Sequence, residues 1–465
     1  MSAQSRSRQQ LVALQLLGLF VVTSVAFLGG TTAVLGMLAF AILPVVGILI
    51  VRLAEGRTET KGSSTVSGEA LKSSESGEPF PALAAPMLVA GILHVLLSLL
   101  LHLSGAADSL APDHMLYRHW GRLLASNVGT AALVGELGYN PNSVYYYINA
   151  VAWFLGERQS SLLMGILNGA FHVVTSYLIA QIAYSFYGRR AANAAFLLFA
   201  FFPSLLVYAS LNIRDSLSWL FIAMSMRGAL RIREPGGVTA GILLLAGGLI
   251  GTGFVRTYIM MMLLVSFGAA QMVTRVRKLP YALLGLMTLV AIALFAGPKL
   301  GLSMEMLTSK SLQDIQIART RLDGGASAAG FQGANVSNFS DALLFLPRGL
   351  IFFLLSPFPW QVNNARQALA LPEVALWLVL LVLAGRQVLE DIRVRTTQVA
   401  TLLFPTIAIT VTYALMEGNA GTANRHRGQM VGAIVIFGSR SIARYLASRG
   451  KSAGSKGFSH ARAVR

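Results

Sequence analysis

Apolar residues in this chain fall in long unbroken runs, not in the two-residue alternation of a half-buried strand or the single stripe of a soluble helix. Runs long enough to cross a bilayer lie at 11–28, 31–52, 82–104, 161–186, 191–210 and 214–230, and again at 238–254, 258–274, 279–297, 371–386, 396–416 and 428–447. Since a bilayer core takes about 20 apolar residues per helix, the pattern predicts an all-α, polytopic transmembrane protein with about twelve spans. The short connections between most runs favour antiparallel neighbours. One segment departs from the scheme: 345–360, FLPRGLIFFLLSPFPW, is apolar but short, and Pro357 and Pro359 end any helix there. A full span at this point would invert everything downstream, so the segment is read as re-entrant or interfacial, ending at Trp360.

Composition narrows the class. Of 465 residues 55% are hydrophobic and 12% charged, with mean hydropathy +0.63, whereas soluble domains carry about 25% charge. A soluble globular protein and a disordered chain are both excluded. The chain has 37 Lys and Arg against 19 Asp and Glu, a formal charge of +18, but the excess is not spread evenly. With the N-terminus inside, Arg52, Arg57 and Lys61, then Arg189 and Arg190, then Arg227, Arg231 and Arg233, then Arg275, Arg277 and Lys278, then Arg386, Arg393 and Arg395 all fall in cytoplasmic turns. The basic balance therefore reports topology, with both termini cytoplasmic, and nucleic acid is not an expected partner. Ser24-Val25-Ala26 resembles a signal-peptidase site, but a second apolar run follows at once, so the first is expected to stay as an anchor. Cysteine is absent, which removes disulfides and thiolate chemistry.

The predicted organisation is a two-helix membrane hairpin (1–52), a Ser/Gly/Glu-rich cytosolic linker (53–80), a membrane core (81–297) with a first external loop at 105–160, a second external loop (298–342), a C-terminal membrane region (343–447) and a basic cytosolic tail (448–465). A multi-pass protein of a bacterial cytoplasmic membrane is expected, with its site on the extracytoplasmic face. No internal repeat and no ionisable mid-membrane path stands out, which points away from transport.

The polar residues on the external side supply the candidate chemistry. If a helix begins after Pro112, Asp113, Tyr117 and Gly121 share one face, and a carboxylate at a membrane surface beside cations is a candidate general base. Alternatively Asp113 caps the helix while Arg118 and His119 touch headgroups; Asp108 is the second candidate base. Tyr145, Tyr146, Tyr147 and Trp153 predict an interfacial helix, where aromatic rings favour the headgroup depth. Arg214 and Asp215 either neutralise each other or orient a phosphate. Arg256, between two spans and against the cytoplasmic bias, is a candidate ligand for a lipid phosphate, with snorkelling to ordinary phospholipid as the other reading. The external turn at 417–427 carries Arg425-His426-Arg427 and glycines for close backbone approach, the strongest anion signal in the chain. In the second loop, 303–322 is amphipathic and is either a lid or a passive connector. His94, His102 and His172 lie in apolar runs, no histidine pair has metal-ligand spacing, and no zinc site or other cofactor is expected, a divalent metal being left open.

Asp113-x-x-x-Tyr117 in a large first external loop, the interfacial aromatic helix, and the run through Ser161, Asn168, Tyr187-Gly188-Arg189-Arg190-Ala191, Phe202-Pro203-Ser204 and Arg214-Asp215-Ser216 together resemble the GT-C class of membrane glycosyltransferases, in the style of protein-mannosyltransferases and aminoarabinose transferases. The likeness covers roughly 85–260. It implies a GT-C-like core, transfer of a sugar from a polyprenyl-phosphate donor to an envelope glycan, lipid or protein acceptor with inversion, a first-loop aspartate as base (Asp113), and basic residues at the lipid phosphate. The chain departs from many members in lacking paired acidic residues at the start of this loop. The external Arg-His-Arg segment also resembles polysaccharide polymerases and ligases acting on polyprenyl-pyrophosphate glycans, and a lipid or glycan flippase or transporter is the competing class outside enzymes. The expected contacts are thus Asp113 and Asp108 for catalysis, and Tyr117, Arg118, Arg214, Asp215, Arg256, Arg425, His426 and Arg427 for substrate.

Overall fold

A computed structural model describes residues 80–126, 143–156, 159–275, 335–362 and 365–462, with a few residues between 313 and 320. The expected hairpin at 1–52, nearly all of the linker, the run at 279–297 and most of the 298–342 loop lie outside the described residues. Within them the chain is helical and no strand is present. The elements are α1 (Ala84–Leu103), α2 (Ala106–Leu110), α3 (Asp113–Ser126), α4 (Ser143–Gly156), α5 (Ser160–Tyr187), α6 (Arg189–Ala200), α7 (Pro203–Ala209), α8 (Asp215–Arg231), α9 (Val238–Val255), α10 (Thr257–Arg275), α11 (Phe339–Leu355), α12 (Ala365–Asp391), α13 (Thr396–Met416) and α14 (Ala420–Arg462).

Six described helices are long and apolar enough to cross a membrane, and a seventh span results if the bent pair α6–α7 is counted as one. That pair is the expected run at 191–210, broken by 57° where Phe201 and Phe202 precede Pro203. Proline cannot donate to the preceding turn and disfavours helix in the residue before it, so a new helix starts at Pro203. The helix α8 covers the expected run at 214–230 but is 17 residues long and carries Asp215, Ser216, Ser218, Ser225, Arg227 and Arg231 buried along its length. These residues face other helices instead of lipid.

Position in the bundle follows from burial. The apolar window of α5 is 89% buried, against 39% for α1 and 33% each for α9 and α12. The helix α5 is therefore the central post, and α1, α9 and α12 form an outer shell. On that shell Leu96, Leu100 and Leu103 of α1, Leu243 and Ile250 of α9, and Val379 and Val382 of α12 are exposed. Monomeric soluble proteins rarely present so much contiguous apolar surface, whereas a bilayer-facing shell requires it. Contact between α8 and α9 depends on missing side chains: a Cβ on Gly228 would meet the Leu245 backbone nitrogen at 2.3 Å, and one on Gly241 would meet the Ile232 nitrogen at 2.5 Å. Small residues let two backbones approach where packing replaces the hydrophobic effect as the driving force.

Among the described residues, cations assigned to cytoplasmic turns lie at the C-terminal ends of helices: Arg227 and Arg231 on α8, and Arg395 just past α12, where Tyr187, Asp391 and Arg440 meet. There the Tyr187 hydroxyl donates to Asp391 at 2.6 Å, Arg440 pairs with Asp391 at 2.9 Å, and Arg395 donates to the Phe186 carbonyl. Arg227 pairs with Glu234 at 2.6 Å, and Arg231 also holds that carboxylate. Burial pushes the Glu234 carboxyl up, but the two guanidiniums more than offset it and hold it below the usual carboxylate range.

The segment read as re-entrant is part of α11, which begins earlier than expected at Phe339 and stops before Pro357. Near its start Phe345 shares a cluster with Leu415 at the end of α13, and past its end the Ser356 carbonyl accepts from Arg427 in the second turn of α14. Arg427 lies seven residues into α14, a depth of about 10 Å at 1.5 Å per residue, well short of a bilayer core. Phe345 and the segment just past α11 thus both lie near the junction of α13 and α14. A correction concerns the expected turn at 417–427. The turn is only Glu417 to Asn419, because the Asn419 side chain accepts from the Gly421 backbone at 2.8 Å and α14 starts at Ala420. Arg425, His426 and Arg427 are helical.

Candidate functional site

At the end of the bundle opposite the arginine-rich turns, side chains from four segments join in one chain of charge. Its centre is Asp215, fully buried at the first position of α8. A buried network fixes that position. The Asn168 amide donates to the Tyr145 hydroxyl at 2.9 Å, to the Leu211 carbonyl at 2.7 Å and to the Ile213 carbonyl at 2.9 Å. Tyr145 donates to Asn212 at 3.0 Å, and Asn212 donates to Asn149 at 2.7 Å. The turn between α7 and α8 is therefore pinned to α4 and α5, and Asp215 follows it. Arg214 Nη1 donates to the Val255 carbonyl at 2.9 Å, tying the start of α8 to the end of α9.

Arg256 Nη2 donates to Asp215 Oδ1 at 2.6 Å, and Arg425 Nε donates to Asp215 Oδ2. The Arg256 Nη1 group reaches the hydroxyls of Tyr258 at 2.8 Å and Tyr413 at 3.2 Å, and lies 3.3 Å from His426 Nε2. His426 Nδ1 meets the buried Glu417 carboxylate, and the imidazole stacks on Tyr413 with centroids 4.5 Å apart. A guanidinium can only donate, so a neutral imidazole with its proton on Nδ1 satisfies both neighbours. Gln429 donates to the Tyr413 hydroxyl at 2.7 Å. At the other end of the chain Arg425 Nη1 donates to Asp113 Oδ2 at 2.7 Å. The sequence Glu417, His426, Arg256, Asp215, Arg425, Asp113 thus runs from the interior to the surface, where the Asp113 side chain is 52% exposed.

Most of the residues singled out by sequence meet here. Asp113 begins α3 after Pro112, as expected, and the Tyr117 and Gly121 face is buried against α4: the Tyr117 ring lies 4.8 Å from that of Tyr145, and a Cβ on Gly121 would meet Asn149 at 2.7 Å. Burial raises the Tyr117 phenol above its ordinary value, so it stays protonated at neutral pH. Asp108 is separate from the chain of charge, paired with His114 at 2.6 Å. Arg118 is outside it as well, its guanidinium 5.7 Å from the Trp153 ring, and Arg122 shares that ring at the same distance. Exposed Tyr147, Val151, Phe154 and Leu155 form an outward stripe on α4, consistent with an interfacial helix.

Three expectations need correction. Arg256 is not an outward-facing cation awaiting a lipid phosphate: it is 3% exposed and held by Asp215. Asp215 takes its countercharge from Arg256 and Arg425, two residues distant in sequence. Arg427 is 3% exposed and donates to the Ser356 carbonyl, so it holds α11 and cannot reach a ligand in this arrangement. Arg425 bonds to an exposed group, the Asp113 carboxylate.

Sequence reasoning passed over Glu417, Tyr258, Tyr413 and Gln429. A lone acidic residue at the end of an apolar run was a readable signal for Glu417; the two tyrosines gave none. It also passed over a buried pair: His94 Nε2 lies 2.8 Å from His172 Nδ1, and His94 Nδ1 lies 2.9 Å from Ser210 Oγ. Both rings are fully buried at the middle of α1 and α5. The two histidines noted in apolar runs are thus partners across α1 and α5. Among the described residues no group of three or more His, Asp or Glu is placed to hold a metal ion. No family model, no curated protein and no solved structure matches the chain.

Proposed function

We propose that the protein is a membrane glycosyltransferase of GT-C type that moves a sugar from a polyprenyl-phosphate donor to an envelope glycan, lipid or protein acceptor at the extracytoplasmic face. The observation that carries this reading is the bond between Asp113 and Arg425, 2.7 Å long and 312 residues apart in sequence. It joins a half-exposed carboxylate to a guanidinium whose other edge is anchored on buried Asp215. A base and an anion-binding group side by side are what glycosyl transfer from a lipid phosphate needs. In the reaction the acceptor hydroxyl oxygen bonds to the anomeric carbon as the bond from that carbon to the phosphate oxygen breaks. The bond pair leaves on the phosphate, beside Arg425, and the hydroxyl proton passes to Asp113. Arg256 positions Arg425 through Asp215 and makes no contact with substrate, while Tyr117 supports the wall of the site.

The test is turnover in nanodiscs with labelled polyprenyl-phosphate sugars and mixed envelope acceptors. Transfer by the native protein, reduced by about 10²-fold or more in Asp113→Asn, is expected, the scale of losing a general base. Undiminished transfer by that variant sinks the mechanism. A second reading has one specific observation in its favour: the buried His94–His172 pair and the break between α6 and α7 are features of transport proteins. A flippase would move a fluorescent polyprenyl-phosphate lipid between leaflets of proteoliposomes, and His172→Ala would slow it without changing any transfer reaction.

A further inference from the structure

The two bonds of Arg425 are unequal. The Asp215 side is fully buried, and Arg425 itself is 12% exposed, whereas the Asp113 carboxylate is 52% exposed. Breaking a buried charge pair leaves an uncompensated ion in a poor solvent, while an exposed pair is close to neutral in free energy and exchanges readily. Charge in the inner cluster points the same way: with His426 neutral, the carboxylates of Glu417 and Asp215 balance Arg256 and Arg425, so Asp113 is the carboxylate most easily spared. If Asp113 swings toward water, one edge of a guanidinium fixed on Asp215 is left facing the site. A guanidinium edge is matched to two oxygens of a phosphate as well as to a carboxylate.

We propose that Asp113 and the phosphate of the lipid substrate compete for the same edge of Arg425, so that arrival of the phosphate is what releases Asp113 to act as base. This rests on the transferase reading above and adds its regulation. Without substrate the base is held by Arg425 and unavailable for an acceptor hydroxyl, which suppresses proton abstraction before a donor is present. The phosphate displaces it; Asp113 then accepts the hydroxyl proton as the sugar leaves. Transfer turns a phosphodiester with one negative charge into a phosphomonoester with up to two, so the hold of Arg425 strengthens as the leaving group forms. Once Asp113 has passed its proton to water it is an anion again and competes for Arg425, which favours release of the spent lipid.

Binding, not turnover, tests this. Affinity for polyprenyl monophosphate is measured with the full chain in nanodiscs, and separately for inorganic phosphate and pyrophosphate. Asp113→Asn removes the competitor and should bind the lipid phosphate about 2- to 5-fold more tightly, the scale of one exposed ion pair. The same gain with inorganic phosphate would assign recognition to the phosphate group alone; a gain confined to the lipid would assign it to a headgroup presented by the bilayer. In an Arg425→Lys background, where one ammonium cannot bridge in the same way, the gain should vanish, with thermal unfolding confirming a folded protein. Asp341→Asn makes the same change of net charge away from the site and should leave affinity unaltered. Equal or weaker binding by Asp113→Asn, or a gain that survives in Arg425→Lys, overturns the proposal. A protein that shows the gain but transfers no sugar from any donor keeps the shared guanidinium and refutes the transferase reading instead.

Discussion

Replacing Asp215 by Asn tests whether the buried ion cluster is organised as described. The carboxylate is fully buried, and each oxygen holds a different guanidinium, Arg256 at 2.6 Å on one side and Arg425 on the other. Asparagine fills the same space but withdraws the charge, leaving two arginines with no shared anion; Arg256 is itself only 3% exposed. Removing one member of a buried pair typically costs about 3–5 kcal/mol, because the remaining ion is left uncompensated. Exposed Asp113 holds the same Arg425, yet Asp113→Asn should cost no more than about 1 kcal/mol. The assay is equilibrium unfolding in mixed detergent micelles, followed by tryptophan fluorescence and helix content. A double-mutant cycle with Arg256→Gln should return a coupling of about 1–3 kcal/mol, since removing both partners relieves the stranded charge. A cost below about 1 kcal/mol for Asp215→Asn, equal to that of Asp113→Asn, would refute the reasoning.

Further consequences can be measured in the same way. Gly228→Ala places a Cβ 2.3 Å from the Leu245 backbone nitrogen; the two helices must separate, and a loss of about 1–3 kcal/mol is expected in the unfolding assay, as for an overpacked core. His94→Leu keeps roughly the volume of the ring but removes the partner of both His172 and Ser210 and should cost about 1–3 kcal/mol, with no change if the rings are only space-filling. Glu234 has a carboxyl held below its ordinary value, burial being outweighed by Arg227 and Arg231. Its stabilising effect is therefore complete above the unfolded value and is lost as pH falls through the lower folded one. Melting temperature in the native protein should drop as the medium is acidified below about pH 4.5, and Glu234→Gln, already destabilised at neutral pH, should show a smaller drop.

The helical class and the places of most described spans were legible in the sequence, because a bilayer imposes a length and a composition on any element that crosses it. Runs expected at 82–104, 161–186, 238–254 and 396–416 match α1, α5, α9 and α13 to within a few residues. Pro357 correctly ended one helix, and Pro203 marked a break that hydropathy smoothed over, since an apolar average does not register a change of direction. The ranking of helices by burial was not legible: α5 and α9 are both apolar, and only packing makes one the centre and the other part of the shell.

For the site, residue type was enough to pick out Asp113, Asp215, Arg256 and Arg425, because charge near the end of an apolar run is costly unless something uses it. Which charge meets which was decided by tertiary structure. Arg256 and Arg427 read as outward-facing cations on the same evidence as Arg425, yet the fold turns the first onto Asp215 and the second onto the Ser356 carbonyl. The same holds for His94 and His172, two unremarkable histidines 78 residues apart until α1 packs on α5. Sequence fixes how costly each group is to bury; contacts between distant segments determine how that cost is met, and a one-dimensional pattern carries no record of them.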